Sequence, residues 1–253
     1  MRERIFRIRA FAKRCTLELV RDPLSYIFSL GFPLVMLIVM TLINESIPAE
    51  AGMTVFRTDN LAPGVYVFGL SFLMLFTALL VSKDRAEAFL VRLYISPMRR
   101  ADFLFGYTLP VLVLAFMQGL ITMAAAFVVG IFTDVPLDLR GLLLVLPASL
   151  PAMLLFVGFG LLFGALFSDK AAPPLSSAII SVSSFLGGMW MDLEHMDGIL
   201  VKICDALPFR HAVEAGRMAL AMDFDGIAGH LAVVLAWALV IYVLAVLAFR
   251  KKV

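Results

Sequence analysis

Six long runs of the chain contain no Asp, Glu, Lys or Arg: 25–44, 62–82, 107–132, 142–167, 173–191 and 229–249. A helix rises about 1.5 Å per residue, so each run can cross a hydrocarbon core of roughly 30 Å. Lipid offers no water to the backbone N–H and C=O groups. For runs this apolar, the α-helix is the conformation that satisfies all of them internally. The chain is therefore expected to be an all-α integral membrane protein with six transmembrane helices. Composition agrees: 62% of the residues are hydrophobic, whereas soluble domains are about 45–50% apolar. Ala49-Glu50-Ala51 imitates a signal cleavage site. The apolar run before it spans about twenty residues, too long for a signal core of about 7–15. It is read as a retained span.

An even number of spans places both termini on one side. Lys and Arg crowd that side, in residues 1–24, 83–106 and 250–252 and at Lys170. The opposite side has Arg57, Arg140, Lys202, Arg210 and Arg217 and most of the acids. The positive-inside rule then predicts cytoplasmic termini in a multi-pass protein of the cell inner membrane. The two cysteines, Cys15 and Cys204, fall on opposite sides and are expected to stay unbridged.

The chain divides into a basic segment, 1–24, and a single six-span domain, 25–253. In the basic segment Ile5, Ile8, Ala12, Cys15 and Leu19 recur at helical spacing among Arg and Lys. That pattern predicts an amphipathic helix resting on the membrane against anionic lipid. Asp22-Pro23 predicts a helix cap with proline in the first turn of span one.

A dense charge block separates spans two and three: VSKDRAEAFLVRLYISPMRRADFLFGY, Val81 to Tyr107. Ala86, Phe89, Leu90 and Leu93 fall at i, i+3, i+4 and i+7, one face of a short helix. Pro97 stops it, because the residue before proline avoids the α region. The block thus predicts a short cytoplasmic helix joined to two spans. Such a helix either fixes topology or receives a push from a soluble partner.

Several functions lose support. No ionised side chain lies within a span, which counts against an ion-coupled carrier. No Gly-x-Ser-x-Gly or His-Glu-x-x-His is present, so no hydrolase set is visible, and no Gly-x-x-x-x-Gly-Lys-Ser/Thr loop exists to hold nucleotide. The chain is expected not to be an enzyme, to bind no metal or cofactor itself and to bind no nucleic acid.

The charge block resembles the cytoplasmic coupling region of type-2 ABC transporter permeases. An acid-Arg pair, Asp84-Arg85, precedes a short helix. Leu93-Tyr94-Ile95-Ser96-Pro97, Arg99-Arg100 and Phe103-Leu104-Phe105-Gly106 follow. Ala88 departs from the glycine that family members often carry there. Pro208, His211, Glu214 and Arg217 resemble the family's Pro-x-x-His-x-x-Glu-x-x-Arg element before the last span. Arg21-Asp22-Pro23 resembles the family's opening of span one.

The resemblance implies the membrane half of an exporter. It would dimerise with a second permease subunit, identical or not, and be driven by separate cytoplasmic ATP-binding cassette subunits that hold ATP and Mg. It assigns docking of the cassette to Asp84, Arg85, Glu87 and Arg92, with Pro97 and Arg99 shaping the exit from the helix. It also places the substrate path near spans two and five. In span five Ser177, Ser181, Ser184 and Gly188 fall at i, i+4, i+7 and i+11, a stripe that either lines that path, faces the dimer partner or packs helices. Gln118 is the one amide near the middle of a span, so it must bond across helices or meet substrate. Residues 200–222 would form short outer helices that dip into the membrane and help close the exit. Abundant Met and Phe favour a hydrophobic or amphipathic substrate, drug-like or lipid-linked. A lipid-linked polysaccharide exporter, a non-transporting membrane scaffold and an ion-coupled carrier are the competing readings.

Overall fold

A computed structural model of the chain describes residues 2–48, 54–87, 100–133, 135–191, 193, 196 and 198–251. Among them there are helices and no strands. The N-terminal helix α1 spans Arg2–Val20. Span one is then built from α2 (Pro23–Tyr26), a π-helical turn (Ile27–Gly31) and α3 (Phe32–Ser46). Asp22 caps it as expected: its carboxylate accepts from Leu24 N at 3.2 Å and from Ser25 Oγ at 2.6 Å. Span one buries Ser25, Ser29, Pro33, Leu37 and Thr41, recurring every four residues, against the bundle, and Phe28 and Phe32 beside that strip meet Phe72 and Phe68. Its other faces carry exposed apolar side chains such as Val35, Ile38 and Leu42.

The hub of the bundle is α4 (Thr58–Ala86). Of its apolar window 83% is buried, against 22% for span one and 28% for the last span. It is followed by α5 (Arg100–Phe132), α6 (Leu139–Ala148) and α7 (Leu150–Leu166). Helices α4 and α7 approach each other closely. A Cβ on Gly160 would come within 2.6 Å of the Met74 carbonyl oxygen, and one on Gly164 within 2.8 Å of that of Ala78. Two glycines four apart thus let the backbones meet, the small-residue packing of membrane helices. On its other side α7 lies against α11 (Ile227–Lys251), where a Cβ on Gly158 would press on Tyr242.

Pro147 and Pro151 predict a kink in span four, and α6 and α7 meet at Ser149 with a bend of 41°. Span five ends earlier than expected. Its helix α8 runs Ala172–Leu186, and Gly187 and Gly188 then turn the chain, Gly188 at φ +69°. Fifteen residues reach about 22 Å, short of a hydrocarbon core. Two short helices, α9 (Ile199–Ala206) and α10 (Pro208–Ala221), precede α11. Among the described residues four helices are long and apolar enough to cross a membrane, or five if the bent pair is one span. The expected count of six is reached only by including short α8.

The apolar stripe of α1 is used differently from the expectation. From Phe11 onward it faces protein: Phe11, Ala12, Cys15 and Leu19 are buried, while Ile5 is 51% exposed. Phe11 fills the notch at Gly106 and stands edge-on to Tyr107, with centroids 4.8 Å apart. The helix is thereby docked on the start of α5.

Candidate coupling site

The charge block begins inside α4. That helix does not stop at Ser82 but continues through Lys83-Asp84-Arg85-Ala86. The turn it adds carries its own partners. Asp84 is fully buried. The Arg14 guanidinium of α1 grips its carboxylate with both terminal nitrogens, and Tyr107 of α5 donates its hydroxyl at 2.6 Å. Burial works against charge on Arg14, but the hydrogen bond and charge of Asp84 outweigh it, so the guanidinium is held above its ordinary value. Arg14 also meets Glu18 at 2.8 Å, and Lys83 reaches Glu18 at 3.7 Å. Cys15 sits beside this cluster, and burial pushes its thiol up to about 12. The next residue, Arg85, donates to the carbonyls of Ala165 and Phe167 at the end of α7. One turn of α4 therefore ties together α1, α5 and α7.

The residues expected to dock the cassette take different positions. Asp84 has no exposed surface to offer a cassette subunit, because its oxygens are consumed within the chain. Arg85 is half-buried and committed to α7. Glu87 is exposed just beyond α4. It edges an open groove of about 1060 Å³ between α1 and α4, shared with Glu18, Arg21, Lys83 and Asp169. Arg92, Pro97 and Arg99, with the expected short helix, lie outside the described residues.

The other expected residues form two further groups. On α8 the stripe splits: Ser177 and Ser181 face outward, whereas Ser184 and Gly188 are buried. Gln118 of α5 is fully buried, and neither of its amide atoms has a hydrogen-bond partner. It occupies the space left by Gly69 of α4, where a Cβ would overlap its nitrogen and lie 3.2 Å from the Ser29 carbonyl oxygen in the π-turn. At the far end of the bundle Pro208 begins α10. Arg217 binds Glu214 at 2.7 Å and also two carbonyls, Asn60 of α4 at 3.1 Å and Gly188 after α8 at 3.0 Å. His211 faces His230 of α11. Spacing had brought out His211, Glu214 and Arg217, but not Asn60 or His230. Arg14 and Tyr107 were likewise absent from the expected set. A lone arginine in a basic tail signals nothing until its partner, 70 residues away, is known.

A family model described as ABC-2 type transporter matches residues 7–221. This chain belongs to the ABC-2 transporter family. The match runs from within α1 to the end of α10, so it takes in both the clamp around Asp84 and the Arg217 element. The protein is a type-2 ABC transporter permease, the membrane-spanning subunit that works with ATP-binding cassette subunits. No curated protein matches the chain.

Proposed function

We propose that this ABC-2 permease is the membrane half of an ATP-driven exporter for a hydrophobic or amphipathic substrate, drug-like or lipid-linked. It pairs with a second permease subunit in the cell inner membrane, crosses six times with α8 as its fifth crossing, and keeps both termini in the cytoplasm. The α1 helix rests at the inner face, and α9 and α10 dip into the outer one. The partner cassettes bind ATP and Mg and dock on Glu87, Arg92, Pro97 and Arg99.

The observation that carries the mechanism is the clamp at the end of α4. Residues 87–99 emerge directly from a helix turn whose Asp84 is held by α1 and α5 and whose Arg85 is held by α7. Force applied to that segment reaches four helices at once. Asp84 and Arg85 act in this scheme as positioning residues that transmit the push, and docking belongs to the exposed charges beyond them. A buried ion pair suits this role, because removing one partner leaves an uncompensated charge.

The test separates docking from transmission. The permease is copurified and reconstituted with its ATP-binding cassette subunit. Arg92→Glu is expected to abolish copurification. Asp84→Asn and Arg14→Gln are expected to copurify normally while ATP-driven transport falls about 5- to 150-fold, the range of coupling energies of 1–3 kcal/mol. Loss of copurification in Asp84→Asn would return that residue to docking. Unaltered transport in both clamp variants would remove the transmission role. A wild-type complex that hydrolyses ATP but moves no cargo would favour a scaffold.

A further inference from the structure

Opposite the clamp, at the far end of the bundle, two imidazoles stand face to face. Nδ1 of His211 on α10 lies 2.8 Å from Nδ1 of His230 on α11, with the rings 4.9 Å apart and tilted by 51°. Nε2 of His211 lies 2.8 Å from the Asp205 carbonyl oxygen. A carbonyl oxygen only accepts, so Nε2 of His211 carries a proton and donates it. The gap between the two Nδ1 atoms then holds one proton. With none, two lone pairs would oppose each other; with two, two N–H groups would.

We propose that His211 and His230 form a one-proton latch that fastens α10 to α11 and opens in acid. In the neutral pair His230 donates from Nδ1 to His211. A first added proton goes to the free Nε2 of His230 and leaves the contact intact. A second must enter the contact itself, making both rings cationic and setting N–H against N–H. Two cations this close repel, so the doubly protonated pair parts.

The surrounding charges are already committed. Asp205 of α9 pairs with Arg210 of α10 at 2.6 Å, and Glu214 of α10 pairs with Arg217. Asp205, Arg210 and Glu214 are the charged groups that act on His230 besides His211 itself. Helices α7 and α8 carry no ionisable side chain. Arg140 of α6, Lys202 of α9 and Asp59 of α4, the latter paired with Arg57, are the others at this end of the helices touching α10, while Lys83, Asp84 and Arg85 of α4 lie at the clamp end. Those of α5 lie at the clamp end. The link from α10 to α11 is exposed and has positive φ at Met222 and Gly226, 55° and 86°. Helix α10 is thus held to α11 by the latch and by packing across an exposed turn, and to α4 and the end of α8 by Arg217.

The latch does not depend on which cargo the permease moves, and its test needs none. The full chain in nanodiscs, carrying His195→Gln and ¹⁵N-labelled histidine, is titrated by NMR while hydrogen exchange of residues 205–221 is followed. Two imidazole steps separated by more than about one pH unit are expected, the signature of strong coupling. Exchange, corrected for its intrinsic pH dependence, is expected to rise severalfold at the lower step only. In His230→Phe it should be raised and independent of pH. Two rings titrating together near the ordinary value of about 6.5 would overturn the proposal. So would protection that stays constant through the titration, or micromolar Zn²⁺ binding lost in either single substitution.

Discussion

Gln118 and Gly69 form a pair in which each residue explains the other. Glycine at 69 leaves room on a crowded face of α4, and the Gln118 amide fills it without finding a hydrogen bond. An unpartnered amide inside lipid costs free energy, whereas an apolar side chain of similar volume does not. Gln118→Leu is therefore expected to leave thermal stability within about 1 kcal/mol of wild type, or to raise it. Gly69→Ala should destabilise by about 1–3 kcal/mol through overpacking, and Gln118→Ala in the same chain should restore most of that loss. Additive losses in the double variant, measured by thermal unfolding in detergent, would show that the two side chains do not compete for the same space. The importance of Gln118 was legible in the sequence, since it is the one amide near the middle of an apolar run. The π-turn opposite it was not, because no residue type in Ile27–Gly31 announces an extra residue in a helical turn.

At the scale of elements, apolar runs located the long helices well, but their ends were set by contacts that no run displays. Helix α4 outlasts its apolar stretch because Asp84 and Arg85 find partners on three other helices. Helix α8 stops short of Met191 although the residues up to it stay apolar, because Gly187 and Gly188 turn there. The basic segment was legible as an amphipathic helix. That its stripe would dock on α5 rather than on lipid depended on the notch at Gly106, which only the assembled bundle reveals. The tie from α4 to α7 gives a prediction of its own. Arg85→Ala frees two carbonyls that end α7, and hydrogen exchange over residues 164–171 should rise about tenfold, the equivalent of roughly 1.4 kcal/mol of local stability. Arg85→Lys should not restore protection, since an ammonium lacks the fork that spans two carbonyls. Wild-type exchange in either variant would mean that the tie is incidental.

For the whole molecule, the burial pattern separates faces turned into the bundle from faces turned away. Ser177 and Ser181 lie on an outward face of α8 beside Val182 and Phe185. Hydroxyls on a face turned away from the bundle fit a partner helix better than lipid tails. A Ser181→Cys variant, with Cys15 and Cys204 replaced by Ala, is expected to cross-link to a second copy in native membranes under mild oxidation. If the control Val240→Cys on exposed α11 cross-links as readily, the face has no special affinity for a partner. The length of α8 has one more consequence. As the proposed fifth crossing, α8 at about 22 Å would fall short of a hydrocarbon layer of about 30 Å, so lipid beside it would thin, or headgroups and water would sink towards it. Along that helix the oily barrier would then be at its shallowest, and an amphiphile leaving the membrane interior would have the least distance to climb.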